Sequence, residues 1–426
     1  MTSKPTKNKV KPQTLKGFRD FLPQEQRLRN YVLAVFKEVF ESFGFEPLET
    51  PSIEPTSTLL GKYGSEADKL VYTFSDKGDR NVGLIYDLTV PVSKVLALNI
   101  DNKVTLPFKR YQIQRVWRAD KPQKGRYREI LMCDIDTFGV SSPLADAEIV
   151  AVIYTILKKL QIENFKIKIN SRQVLFSILK GIGITEEKFG LSVLQTIDKL
   201  NKIGQDKVNK ELEKKGFDNN KIKTLWESIK RAKPDEKLSE MIGFIESFGI
   251  NLKYYQFDPT MARGLDYYTG PIFETVVQEP KIGSITGGGR YDKLISLLGG
   301  PDIPATGTTI GLDRICDCLK ELNLVPPMIK TGPSTLVTVF PGYTDQSIKL
   351  AESLRQESIS CELFLEETAL DKQLKYANRK GIPYIAFLGP DEVKGQKVKL
   401  KTMQTGKQEI LSLQELIKKL KSKSGS

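Results

Sequence analysis

A chain of 426 residues, 39% hydrophobic and 27% charged, is long enough for two or three domains with buried cores, and its formal charge of +13 favours a polyanionic partner. Four cysteines, Cys133, Cys316, Cys318 and Cys361, are too few and too unevenly spaced for a disulfide framework or a zinc site, so reduced, buried thiols are expected. The chain has no histidine, which argues against Ser-His-Asp hydrolases, papain-like thiol chemistry and most zinc enzymes, and leaves catalysis to arginine, carboxylates, backbone donors, metal-bound phosphate or a nucleophile the substrate brings.

In chain order, "MTSKPTKNKVKP" (1–12) is a basic tail without an acidic residue. It lacks the apolar core of a signal peptide, and no long apolar run suggests a membrane span, so a cytoplasmic location is expected. "QEQRLRNYVLAVFKEVFESFG" shows helical spacing and stops at Gly44, while "FEPLETPSIEP" is an extended segment whose prolines suit a sheet edge or an interface. In "FKRYQIQRVWR" (108–118) alternation places Gln112, Gln114, Val116 and Arg118 on one face, and in "EILMCDIDTF" (129–138) it does the same for Met132, Asp134 and Asp136. With the basic turn "ADKPQKGRY" between them, these runs predict an antiparallel hairpin whose polar face floors a site. "PLADAEIVAVIYTILKKLQI" predicts an amphipathic helix, and the Lys-rich stretch from about 173 to 248 a helical insertion between halves of a catalytic sheet. Strand-like text returns in "GPIFETVV" and "GTTI", after which Asp313 and Arg314 open a helix. "VPPMIKTGPS" (325–334) is the best domain boundary; beyond it, alternating strands and helices predict a small parallel-sheet α/β domain.

Three arginines suit phosphate recognition through their planar forks: Arg118 at a strand end, Arg263 in "MARGLDYYTG" and Arg314 at a helix start. "GGGRYD" is neither a P-loop nor a dinucleotide fingerprint, and its glycines fit either a turn or close approach of backbone to a flat ligand. Tyr267 and Tyr268 are adjacent, so in extended backbone one faces a ligand and the other the core. Asp87 and Asp136 read first as ion-pair partners of arginine and second as ligand-binding carboxylates.

Together these motifs resemble histidyl-tRNA synthetase, a class II aminoacyl-tRNA synthetase, over essentially the whole chain. "LKGFRDFLP" and "FGFEPLETPSIEP" look like its N-terminal region and motif 1, "YDLTVP", "WRADKPQKGRYRE" and "CDID" like the histidine pocket and motif 2, and "IGLDRI" like motif 3. "ARGLDYYTG" and "GGGRYD" are similar to the two histidine-specific signatures, and "KQLKYANRKGIPY" to the anticodon-binding domain. The resemblance implies a class II antiparallel-sheet catalytic core at 13–325 with the helical insertion, a linker at 326–334 and an α/β anticodon-binding domain at 335–426.

It further implies ligation of histidine to its tRNA through histidyl-adenylate, with ATP and Mg²⁺, in a cytoplasmic homodimer. By the family's pattern Arg118 and Arg263 hold the α-phosphate, Arg314 the γ-phosphate, and Asp87 with Thr89 the α-ammonium of histidine. Asp136 and Tyr268 hold the imidazole, Met132 and Tyr267 line the same pocket, and Gln123, Lys124 and Arg126 meet the tRNA acceptor end. Two departures stand out: the family usually has arginine at Ile85 and glutamine at Met132. A rival from another class is a non-catalytic relative that binds histidine or tRNA as a regulator; such relatives typically lack the anticodon domain and degrade "RGLDYYTG", which this chain keeps. The absent histidine invites the hypothesis that this chain can still be translated when charged histidine tRNA runs out, with compositional drift or engineering equally compatible. A fall in its synthesis during histidine starvation, matching that of histidine-containing proteins, would refute the hypothesis.

Overall fold

The structure, a computed structural model, describes residues 11–60, 70–100, 103–121, 127–262, 267–330 and 332–424. Its contacts divide into two compact units, Met1–Asp20 with Val32–Leu324, and Phe21–Tyr31 with Val325–Ser426.

The first unit contains β1 (Glu46–Pro47), β2 (Ile53–Pro55), β3 (Thr73–Ser75), β4 (Asn81–Leu84), β5 (Phe108–Trp117), β6 (Glu129–Phe138), β7 (Phe165–Ser171), β8 (Tyr255–Phe257), β9 (Pro271–Val277), β10 (Ser284–Arg290) and β11 (Ala305–Ile310). Eight form one sheet in the order β1-β5-β6-β11-β10-β9-β7-β8, antiparallel through its centre with parallel pairs β1–β5 and β7–β8 at the two ends. Pro47 therefore sits on an edge strand, where its missing N–H costs no ladder bond. β2, β4 and β3 form a small separate sheet.

The expected hairpin is β5–β6, with Arg110 opposite Asp136, Gln112 opposite Asp134 and Gln114 opposite Met132. The even-numbered face is the polar floor. The odd-numbered face is core: Tyr111, Cys133 and Ile135 are buried there, and the Phe40 ring lies 5.4 Å from Tyr111. The helix Pro143–Lys159 follows β6; Ser142 accepts from the Leu144 N–H, Pro143 opens the first turn, and Lys158 and Lys159 sit in the last, where cations favour the dipole. Between β7 and β8 run the helices Arg172–Gly181, Glu187–Ile197, Leu200–Ile203, Gln205–Glu213, Asn219–Arg231 and Glu236–Ser247. Ser171, Asp218 and Asp235 cap three of them, and Leu175, Leu194, Leu212 and Leu225 pack in their core. This is the expected antiparallel core with a helical insertion.

The glycines of "GGGRYD" lie within β10 and make no turn. A Cβ on Gly288 would stand 2.1 Å from the Gly307 carbonyl oxygen, and one on Gly307 would stand 2.0 Å from Asp136 Oδ1. Glycine is needed at these positions because neighbouring strands and a floor carboxylate occupy the space of a side chain.

The second unit has β12 (Thr335–Val337), β13 (Cys361–Leu363), β14 (Tyr384–Phe387), β15 (Val398–Thr402) and β16 (Gln408–Leu411) in the order β13-β12-β14-β15-β16. The first three are parallel and the last two join antiparallel, so the sheet is mixed where a parallel one was expected. The connection between β15 and β16, with Gly406 at φ +72°, is too short for a parallel crossover. Cys133, Cys316 and Cys318 are buried free thiols as expected, whereas Cys361 is half-buried. Among the described residues no helix is long and apolar enough to cross a membrane.

Candidate active site

The deepest part of the floor is ionic. Arg110 Nη2 lies 2.6 Å from Asp136 Oδ2, with the arginine side chain fully buried and the aspartate nearly so. The Tyr291 hydroxyl donates to Asp136 Oδ1. Burial raises the Asp136 carboxyl against the opposing pull of Arg110 and Tyr291, and burial beside Asp136 lifts the Tyr291 hydroxyl well above its ordinary range. Asp136 thus forms the arginine ion pair expected of it first.

One step along the same face, burial pushes the Asp134 carboxyl up to about 7, with Arg110 and Thr309 holding it down and Asp136 and Asp87 raising it. Further along, the Gln114 Nε2 donates to the Thr50 carbonyl at 2.7 Å, and the Gln112 Nε2 donates to Gln114 Oε1 at 2.7 Å.

Aromatic rings wall the ionic end. Tyr267 and Tyr268 have ring centroids 4.7 Å apart, and Tyr267 meets Tyr291 edge-on at 5.7 Å. The two adjacent tyrosines therefore pack against each other and do not point to opposite faces. Residue 267 lies in a turn, so the opposite-face rule of extended backbone does not apply. Tyr268 is buried and Tyr267 half-buried.

The other end of the floor is apolar. Met132 and Ile85, the two departures from the family's pattern, pack in one cluster with Leu59, Val71, Leu88, Val90 and Val116. Arg118, half-buried, donates through Nε to the Tyr86 carbonyl at 3.0 Å, and its Nη2 lies 3.9 Å from Met132 Sδ. Asp87 accepts from the Val90 N–H at 3.2 Å and so steadies the start of the helix Thr89–Asn99. Thr89, half-buried, is that helix's first residue.

The structure thus brings Asp136, Tyr267 and Tyr268 together at one end of the floor and Met132 and Arg118 at the other, with Asp87 felt electrostatically at Asp134. Arg314 stands apart. It is exposed on the helix Leu312–Glu321 and donates to the Ser284 carbonyl, at the end of β10 remote from Tyr291. Arg263, Gln123, Lys124 and Arg126 lie outside the described residues. Sequence reasoning missed Arg110 and Tyr291. Arg110 could have been found by extending the Gln112–Gln114 alternation two residues back. Tyr291 stands inside "GGGRYD", but only the fold carries it to Asp136.

A family model described as histidyl-tRNA synthetase matches residues 17–315, and one described as an anticodon binding domain matches 334–423. The histidine–tRNA ligase of Clostridium tetani is 39% identical across 98% of this chain and 99% of its own length, and that of Cytophaga hutchinsonii 37% identical across 96% and 99%. The crystal structure of histidyl-tRNA synthetase from Nostoc sp. PCC 7120 superposes with a TM-score of 0.85 at 30% identity, covering 97% of this chain and all of that one. With likeness of this extent in sequence and in fold, the chain belongs to the histidyl-tRNA synthetase family.

Proposed function

We propose that the chain ligates histidine to its tRNA in two steps, first forming histidyl-adenylate with release of pyrophosphate, then transferring histidine to the 3′-terminal ribose with release of AMP. The observation that carries this reading is similarity to histidine–tRNA ligases over 98% of the chain, catalytic and anticodon-binding regions included. It accounts for the missing histidines: the substrate's carboxylate is the nucleophile, and the protein supplies positioning and charge stabilisation.

Within that reading, Asp136 and Tyr268 orient the imidazole, the carboxyl fixed between Arg110 and Tyr291. Asp87 and Thr89 take the α-ammonium, while Met132 and Tyr267 line the space between. Arg118, set by the Tyr86 carbonyl, and Arg263 stabilise charge on the α-phosphate as the bond forms. Arg314 fits the γ-phosphate, being exposed and in the first turn of a helix of ten residues. Mg²⁺, arriving with the nucleotide, would neutralise phosphate charge. Gln123, Lys124 and Arg126 meet the acceptor end. The catalytic region spans 13–325, with its helical insertion at about 173–248; 326–334 links it to an anticodon-binding domain at 335–426. A cytoplasmic homodimer completes the proposal.

Histidine-dependent ATP–pyrophosphate exchange by the purified protein tests it, with the other amino acids as controls. Exchange with histidine alone is expected. A folded, ATP-binding protein that shows none would shift the reading to a regulatory relative.

A further inference from the structure

Asp134 lies midway along the floor, and none of the roles above uses it. Its side chain is buried at 3% exposure and faces Gln112 across the β5–β6 ladder. The hydrogen bonding around it does not close. Gln114 donates its amide to the Thr50 carbonyl, which leaves Gln114 Oε1 as an acceptor. That acceptor requires Gln112 to present its NH₂, at 2.7 Å, and the same NH₂ reaches Thr50 Oγ1 at 2.9 Å. Gln112 Oε1 is thereby left as a buried acceptor, and both it and Asp134 Oδ1 lack a donor among the described residues.

Of the two carboxylates, the floor's buried cation is engaged on Asp136 alone: Arg110 Nη2 is 2.6 Å from Asp136, and Arg110 Nε and Nη1 bond neither carboxylate. Among the described residues, the charged and polar groups that act on Asp134 are Arg110 on β5, Asp136 on its own strand, Thr309 on β11 and Asp87 ahead of the helix Thr89–Asn99. Among the described residues Asp134 and Asp136 thus both feel the same buried guanidinium, and Gln112 and Asp134, paired across the ladder, each carry an acceptor without a donor. An ionised Asp134 in the empty site leaves that arrangement unsatisfied.

We propose that Asp134 is a positioning residue that carries a proton in the empty site, directed toward Gln112, and releases it when the cationic ammonium of histidine enters. The inference rests on the ligase reading and deepens it. The O–H bond of the Asp134 carboxyl breaks, its proton passes to solvent, and the carboxylate left behind is balanced by the arriving ammonium; no other bond changes. Burial, with Asp136 and Asp87 nearby, places the carboxyl at about 7 despite Arg110 and Thr309, so the exchange falls in the neutral range. Binding that releases a proton strengthens with rising pH, by about tenfold per pH unit below the midpoint, and levels off above it.

Calorimetric titration of the full chain with histidine, in buffers of differing ionisation enthalpy between pH 5.5 and 8.5, reads the proton directly. The free imidazole of the ligand titrates equally in both experiments, so the difference between native protein and Asp134→Asn reports the protons that depend on the Asp134 carboxyl. Near pH 6 the native protein should release up to about one proton more than the variant, and only the native affinity should carry the additional slope. Equal proton counts overturn the proposal. Should Asp134→Asn fail to fold, Thr309→Val removes a hydrogen bond that holds the carboxyl down and should move the native midpoint upward; an unmoved midpoint also overturns it. Histidine that binds at no pH overturns the ligase reading and this inference with it, an outcome distinct from binding with no proton difference.

Discussion

Arg290 and Arg110 each reach a buried aspartate, and the two pairs are finished very differently. Arg290 reaches Asp146 through Nε at 3.0 Å and Nη2 at 2.6 Å, the Val140 carbonyl through Nη1 at 2.8 Å and the Ser142 carbonyl through Nη2 at 3.1 Å. All three of its nitrogens are bonded, and they pin the end of β10 to the start of the helix Pro143–Lys159. Arg110 uses Nη2 for Asp136, while its Nε and Nη1 have no partner among the described residues. A buried guanidinium left partly open is costly in an empty protein. The first pair is closed at its guanidinium, though Asp146 Oδ1 has no hydrogen-bond partner among the described residues, and the second is open there.

The largest test of this contrast is to break the closed pair. Asp146→Ala leaves the buried Arg290 with only the longer 3.4 Å contact to Asp292 as counter-charge among the described residues, so stability should fall by roughly 3–5 kcal/mol. Histidine KM in the protein that remains folded should change little, since Asp146 reaches the floor only indirectly, through Arg290 beside Tyr291 and through Thr306 beside Gly307. Urea unfolding with parallel exchange kinetics checks both. A loss below about 1 kcal/mol would show that the bonded pair does not hold the strand to the helix.

The open pair's neighbour gives a pH signature of similar size. Asp134 has a folded value of about 7 against an ordinary 3.8. Between those limits the native chain keeps a proton that the unfolded chain has lost. The associated stability is fully present below about pH 4 and lost as pH rises through about 7, a change of about 4 kcal/mol. Unfolding of native protein and Asp134→Asn across pH 5–8 should show a falling difference between them. Parallel curves would mean that Asp134 is already ionised in the folded state.

A smaller effect is expected at Tyr291. Tyr291→Phe keeps the ring against Tyr267 and Phe138 but removes the hydroxyl that donates to Asp136. A hydrogen bond to a charged group contributes about 1.5–3 kcal/mol, so histidine KM should rise roughly tenfold or more while ATP KM stays put. An equal rise in both would assign the hydroxyl to general packing.

The contrast between the two pairs also marks how far the sequence could be read. Strand alternation alone places Gln112, Gln114, Met132, Asp134 and Asp136 on one floor, because a period of two is a local property of the chain. Alternation is silent on which arginine meets which aspartate: Arg110 and Asp136 are 26 residues apart and Arg290 and Asp146 are 144 apart. Sheet order decides those pairings. The same limit explains "GGGRYD", read as a possible turn, where glycine at 288 is demanded by the Gly307 carbonyl and the Phe273 ring on the two flanking strands. It explains the two tyrosines as well, whose shared side depends on a turn at residue 267 that adjacency does not reveal.

The finest test lies at the apolar end of the floor. Met132 is 7% exposed, packs with Ile85, and has the Arg118 guanidinium 3.9 Å from its sulfur. Glutamine has nearly the shape of methionine, so Met132→Gln should keep the backbone, but its amide would face Ile85 where a polar partner would be needed. The expected cost is about 1 kcal/mol of stability, the lower end for an unsatisfied buried amide, because Arg118 can turn a donor toward the new carbonyl. Histidine KM should move by less than about tenfold, since Ile85 and Met132 fill the space together and restoring one of the two polar groups does not rebuild a pair. Adding Ile85→Arg to the glutamine variant sharpens the test. Independent sites would give additive changes in KM, whereas two residues that exchanged polarity together should give a double variant that binds histidine better than either single change predicts.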